Sequence, residues 1–343
     1  MPSISEARLR RICRSIILAM NTPEDIADVV TDVLVSADIK GVDSHGCRLL
    51  KMYKRSVENG SIIPSARPEV MKQEGAIAQI EGHWGWGHVA ARQAAGLAAA
   101  SARTHGIGAA SVVHVQHIGR VGEYSEIIAR DGMLGIVTCN TGPTTTPYGG
   151  MSRTFGTNPI AMAVPRSNGK LLSVDFATSA KSVNKLQIAR QHQQALPEGV
   201  ILDKNGYATT DSNAFFDAGV LLPFGSYKGY AFNLFIDIIG GILVGAGCGA
   251  VLDTHPGNGT LCLALDIAHW RSPDDFANEL EDLLARVKGA PVAPGFDEVL
   301  LPGELETRAE EQRKGKSIPL DQETWDELKE TGKKLGVPDS LFA

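Results

Sequence analysis

The sequence predicts a mixed α/β (α+β) protein built on a mixed sheet, with helices contributed by both ends of the chain. Strand-like and helix-like segments alternate irregularly, and hairpin signals cluster in the middle. A doubly wound parallel sheet would instead need regular strand–helix crossovers. The size also fits. The 343 residues are 43% hydrophobic and 21% charged, enough to bury a sizeable core.

Residues 5–38 read as two helices. The second has Thr22 before Pro23, acids in its first turn and apolar residues at helical spacing. Helical periodicity resumes over 47–58, and the break "NGSIIPSARP" follows. "AIAQIEGHWGWGHVAARQAAGLAAASARTHG" reads as strand, glycine turn and alanine-rich helix. "IGAASVVHV" is a short buried strand, "GRVGEYSEIIARDG" a helix and "MLGIVTCNTG" a strand. "NPIAMAVPRSNGKLLSVDFATS" is two strands joined at Asn168-Gly169. A loop and hairpin follow, then an apolar helix over 227–245, read as a buried core helix. "GTLCLALDI" is a strand and "SPDDFANELEDLLARVKG" a capped amphipathic helix. A proline-rich extended segment leads to a helix after Leu320. Three regions are expected: 1–75 helical, 76–285 the central sheet domain, and 286–343 an extended segment and helices packing back on the first.

Several function classes are disfavoured. The net charge is −6 and no block of basic residues occurs, so nucleic acid is not an expected partner. Asp237 and several glycines interrupt the most apolar run, "AFNLFIDIIGGILVGAGCGAVL", which argues against a membrane span. The five cysteines are scattered, with no C-x-x-C. This points to a reducing, cytoplasmic setting and to no thiolate metal site.

Six stretches could carry chemistry. "GWGHVA", Gly85 to Ala90, matches G-x-G-x-x-G/A, a pyrophosphate turn or simply a tight one. "HVQHIGRVGEYSE" places His114, His117 and Arg120 at a strand-to-helix junction suited to an anion. It offers no third ligand for a metal, and none is expected. "DFATS", Asp175 to Ser179, puts an acid before hydroxyls, a histidine-orienting or phosphate-binding group or an ordinary helix cap. Lys228 in "LLPFGSYKGYAF" sits where an anion or only solvent could meet it. "VLLPGE", 299–304, is a loop able to present backbone groups. "DSHG", Asp43 to Gly46, joins a serine to a histidine, a pairing fit for acid/base work, but without the G-x-S-x-G of hydrolases.

Together "DSHG", "HIGRVGEY", "FGTNPIAMAVP", "VDFATSA", "LPFGSYKGY" and "VLLPGE" resemble, in order and spacing, the malate/L-lactate dehydrogenase family of non-Rossmann type. That family includes ureidoglycolate, sulfolactate and diketogulonate oxidoreductases and the piperideine/pyrroline-2-carboxylate ketimine reductases. The resemblance implies a homodimer, a largely antiparallel cofactor sheet, NADH or NADPH, and hydride transfer to the carbon next to a carboxylate. It makes the glycine match at 85–90 a turn. By position, Ser44 and His45 match the family's proton-donating pair, and Asp175 the acid completing their relay. His117 is assigned the acid/base role in some members. Residues matching cofactor contacts are His117, Ile118, Gly119, Arg120 and Val121; Asn140; Asp175, Phe176, Ala177, Thr178 and Ser179; Tyr227 and Lys228; and Pro302, Gly303 and Glu304. Tyr53 matches the tyrosine near the substrate.

Two positions depart from the family pattern. Arginine usually stands four residues after the histidine, where it grips the substrate carboxylate; here it is Leu49. Arg48 is adjacent but rotated by roughly 100° on a helix, so Arg120 or Lys51 are the other candidate grips. Asn184 replaces a common glycine before Lys185. The expected activity is that of a 2-oxo/2-hydroxy acid oxidoreductase. The alternatives are reduction of a cyclic or N-alkyl ketimine carboxylate, or a relative that has lost substrate binding.

Overall fold

The structure, a computed structural model, describes residues 2–249 and 257–343. The chain opens with strand β1 (Ser3–Ser5) and helix α1 (Glu6–Leu18). The Ser5 hydroxyl accepts the Arg8 N–H and caps the helix. Leu9, Ile12, Cys13, Ile16 and Ile17 form its buried stripe. Helix α2 (Glu24–Ile39), two 3₁₀ turns (Asp43–His45 and Cys47–Leu49) and α3 (Leu50–Glu58) close a helical layer around that stripe.

The main sheet starts with β2 (Glu69–Glu74) and β3 (Ile77–Glu81). Helix α4 (Gly87–His105), β4 (Ile107–Val113), α5 (Gly122–Arg130), β5 (Met133–Cys139), β6 (Ile160–Pro165) and β7 (Leu171–Phe176) follow. Helix α6 (Val183–Gln191) then leads to a small sheet of β8 (Ile201–Leu202), β9 (Ala208–Thr209) and β10 (Val220–Leu221), with α7 (Asn213–Phe216) beside it. After α8 (Tyr227–Asp237) come β11 (Thr260–Asp266), α9 (Ile267–Trp270) and α10 (Pro273–Lys288). The chain ends with α11 (Glu304–Arg313), β12 (Ser317–Pro319) and α12 (Gln322–Lys334).

The seven-stranded sheet runs β2-β3-β4-β11-β5-β6-β7. Only β3 and β4, joined through α4, pair in parallel; the other neighbours are antiparallel. This is the largely antiparallel mixed sheet the sequence predicts. Small side chains let α4 lie close on it, with Ala91, Ala94, Ala95, Ala98, Ala99 and Ala102 all buried. The two chain ends meet in a separate core. β1 pairs with β12 (Ile4 opposite Ile318), and Trp325 and Leu328 of α12 join the α1 stripe.

One expectation is corrected. The apolar helix over 227–245 is not buried: Phe232, Phe235, Ile238, Ile242 and Leu243 are exposed, whereas Asn233 and Asp237 point inward. The inward face meets a polar network. Asn233 bonds Asn158 and the Gly156 carbonyl, and Asp237 accepts from Asn140. The last residues of the apolar run, 250–252, lie outside the described residues. The sequence assigns no element to most of α11. Its composition, "ELETRAEEQR", carries almost no apolar periodicity. No helix among the described residues is long and apolar enough to cross a membrane.

Candidate active site

The "DSHG" turn rests on Asp38, the fully buried acid near the end of α2. Its Oδ2 accepts the Cys47 N–H at 2.8 Å. Its Oδ1 fills the space a side chain at position 46 would need, 1.7 Å from an ideal Cβ there. Only glycine fits. Burial pushes the Asp38 carboxyl up to about 7. Arg313 of α11 donates to the Asp38 carbonyl at 2.6 Å and to the Asp43 carboxylate at 3.3 Å. Asp43 thus holds the turn against α11.

The turn presents His45, with its Nδ1 3.0 Å from the Ser44 hydroxyl. His117 stacks beside it, ring centroids 5.8 Å apart and planes within 17°. Behind His117 lies buried Tyr53. Its hydroxyl is 2.7 Å from His117 Nδ1 and 3.2 Å from Nε2 of His88, which is fully buried. The Gly119 N–H donates to the same His117 Nδ1 at 3.3 Å. Burial lowers all three imidazoles. His117 drops to about 3, with His45 adding to the effect. His45 drops to about 4 through burial, then the charges of Arg120 and Lys185. His88 is lowered chiefly by burial. All three are neutral at ordinary pH.

His45 and His117 open onto a cavity of about 1280 Å³. Ser44, the segment His117–Val121, Asp175–Ala177, Ser179, Lys181, Lys185, Pro302 and Gly303 also line it. The structure therefore gathers most of the residues expected at cofactor and substrate. Asp175 is there too, but its carboxylate accepts the Gly122 N–H at 2.8 Å and bonds neither Ser44 nor His45. Burial raises it, opposed by Arg120. Arg120 is itself buried and bonded to Glu126 (2.9 Å) and Glu123 (3.2 Å). Glu126, despite burial, is held down at about 2 by Arg120 and Lys40.

Other expected residues lie off the cavity. Leu49 packs in the helical core at 5% exposure, because its 3₁₀ turn lies against α12 and α2. Arg48 lies beside the acids Asp43 and Asp321, and Lys51 pairs with Glu327 on α12. Asn140 is fully buried and spends its amide on Asp237, Gly247 and Gly259. The Thr178 hydroxyl donates to the Thr157 and Asn158 carbonyls. Tyr227 and Lys228 are exposed at the start of α8. Glu304 bonds Lys288, Arg308 and the Leu301 N–H. "GWGHVA" does not line the cavity either. Gly87 is glycine because the Gln116 carbonyl passes 2.2 Å from where its Cβ would be.

Two residues at the site carried no separate sequence signal. His88 was hidden in the glycine stretch, and its partner Tyr53 is 35 positions away. Lys185 faces the cavity, and its ammonium has no ion pair or hydrogen bond among the described residues. The neighbouring departure, Asn184, donates its amide to the Ser44 carbonyl at 2.8 Å and ties the start of α6 to the His45 turn.

The sequence profile of the malate/L-lactate dehydrogenase family matches residues 4–329. The L-sulfolactate dehydrogenase of Methanothermobacter thermautotrophicus is 34% identical, with 95% of each chain covered. The solved sulfolactate dehydrogenase of Methanocaldococcus jannaschii superposes with a TM-score of 0.89 at 31% identity over 99% of each chain. The delta1-piperideine-2-carboxylate reductase of Pseudomonas syringae superposes with a TM-score of 0.87 at 26% identity, covering 96% of this chain and all of that one.

Proposed function

The chain belongs to the malate/L-lactate dehydrogenase family, and from that premise we propose an NAD(P)H-dependent oxidoreductase acting at the α carbon of a small 2-oxo or 2-hydroxy carboxylic acid. The observation that carries this reading is the Ser44–His45 pair stacked on His117 at one end of a large cavity. The cavity exceeds the ~300–1,000 Å³ of ordinary ligand pockets, room for a dinucleotide and a small acid together. The segments 117–121, 175–177 and 302–303, with Ser179, would hold the cofactor, which supplies or takes the hydride when bound.

The protein's own residues do the rest. Lys185, charged and unpaired, meets the substrate carboxylate in place of the arginine that Leu49 replaces. Asn184 holds α6, and so Lys185, against the His45 turn. Burial, Arg120 and Lys185 keep His45 neutral while the site is empty. An anion that offsets Lys185 raises the His45 pKa and so favours the protonated ring when substrate is bound. As hydride forms the new C–H bond, the carbonyl electron pair moves to oxygen. Oxygen takes the His45 proton, and the imidazole returns to neutral.

This proposal includes a homodimer and a cytoplasmic setting. The first is supported by the outward apolar side chains of α8, with Phe232 50% and Phe235 62% exposed; the second by five cysteines, all buried. The test incubates purified protein with NADH or NADPH and, in turn, pyruvate, oxaloacetate and piperideine-2-carboxylate. Loss of reduced-nicotinamide absorbance with an oxo acid is expected. Turnover of the ketimine alone would move the substrate class to C=N. No turnover with retained cofactor binding would mean that substrate recognition has been lost.

A further inference from the structure

We infer that the buried Tyr53–His88 pair locks His117 in the tautomer that presents Nε2–H to the cavity, making His117 a constant hydrogen-bond donor to the substrate carbonyl and leaving proton transfer to His45. The substrate half of this inference rests on the reading above; the tautomer does not.

The direction of each bond follows from what each group can do. A backbone N–H only donates, so the Gly119 bond makes His117 Nδ1 an acceptor. The Tyr53 hydroxyl, 2.7 Å from the same nitrogen, must then donate to it as well. With its hydrogen committed, the phenol oxygen can only accept from His88, so His88 carries its proton on Nε2. His88 Nδ1 is left bare, and it is indeed buried without a partner. The reverse chain would leave a buried N–H with no acceptor, the rarer and costlier defect. It would also set two donors against each other at Gly119. Burial keeps His88 and His117 neutral, so neither gains a second proton that would erase the distinction.

His117 Nε2 therefore carries the hydrogen. It has no partner among the described residues and is not among their buried orphan atoms, so it opens to the cavity that His117 lines. His45 differs. Its Nδ1 partner is a serine hydroxyl, which can donate or accept. That ring is free to exchange its proton; His117, with two donors on Nδ1, is not. His88 is a positioning residue, acting on substrate only through Tyr53 and His117.

The test is ¹⁵N NMR of histidine-labelled protein, which reads the tautomer without turnover. His117 is expected as Nε2–H in the wild type; in Tyr53→Phe and His88→Leu only the long Gly119 bond, 3.3 Å against 2.7 Å for Tyr53, still holds Nδ1, so a measurable Nδ1–H population should appear. Kinetically, His88→Leu should lower kcat by about 10- to 100-fold, the range seen when the partner orienting a metal-bound histidine is lost, with little change in KM. His88→Gln, whose amide can place an N–H where Nε2–H stood, should restore most of kcat and the tautomer. A wild-type His117 found as Nδ1–H would overturn the inference. So would a folded His88→Leu protein with unchanged tautomer and kcat. Should His88→Leu fail to fold, the wild type and Tyr53→Phe still decide. Should the wild type reduce no 2-oxo acid, the activity reading fails, while the NMR result still decides the tautomer.

Discussion

The two sides of the stacked histidine pair are built on opposite plans. The His117 side is neutral and closed: Tyr53 and His88, both fully buried, supply hydrogen bonds that leave its Nδ1 no freedom. The His45 side is charged and open. Its neighbours are a serine hydroxyl, an unpaired lysine and a helix tied on by Asn184. The difference teaches where chemistry can change hands. A closed neutral chain fixes an orientation. A charged open one lets a ligand alter a pKa.

Replacing the group on the open side should have the largest effect. His45→Ala is expected to lower kcat at least about 100-fold, the low end for a lost acid/base residue, with cofactor affinity retained. Near wild-type turnover in steady-state assays would break the division of labour and hand proton transfer to His117. Lys185→Met comes next. Losing one charged hydrogen bond costs about 1.5–3 kcal/mol, or roughly 10- to 100-fold, and that loss should appear mainly in KM for the carboxylate. Lys185→Arg should recover part of it. An unchanged KM in Lys185→Met would show that the carboxylate is gripped elsewhere.

How much of this was legible in the sequence depended on range. Local periodicity gave α1, α2, α4, α5, α10 and most strands, because each carries its own apolar stripe or turn. It could not place β11 between β4 and β5, a pairing of residues more than a hundred positions apart. It misread α8, since an apolar run looks the same whether it faces a core or another surface. The Ser44–His45 pair was visible as a motif, and its companions told more than its own spacing. Leu49 was visible as a departure but not as a core residue. Asn184 stood out as a second, unrelated departure; only the fold shows that it bonds the carbonyl of Ser44.

The open side still needs a rigid base, and Gly46 tests it. A methyl at that position would meet Asp38 Oδ1, so the turn or the buried carboxyl must shift. Gly46→Ala is expected to destabilise the fold by about 1–3 kcal/mol, the usual cost of overpacking, read as a lower denaturation midpoint. Turnover should fall further than stability alone accounts for, because the same turn aims His45. A midpoint equal to the wild type would mean that the turn is looser than its contacts indicate.

The smallest expected effect discriminates best between the two sides. His45 and His117 titrate near 4 and 3, below the ordinary 6.5. Both are depressed, so the stability tied to their neutrality is complete above pH 6.5 and is lost as pH falls toward those values. Asp38, raised to about 7, works the other way. Its contribution is complete below its ordinary 3.8 and is lost as pH rises through 7. The windows overlap, so a melting curve mixes them, and site-resolved NMR titration is the proper measurement. The free protein should show His45 titrating above His117. With cofactor and oxamate, an inert carboxylate, His45 should move up while His117 does not rise, because Lys185 lowers His45 and not His117, and a charged His45 only lowers His117 further. If both rings move together, or if neither moves, the carboxylate does not sit at Lys185.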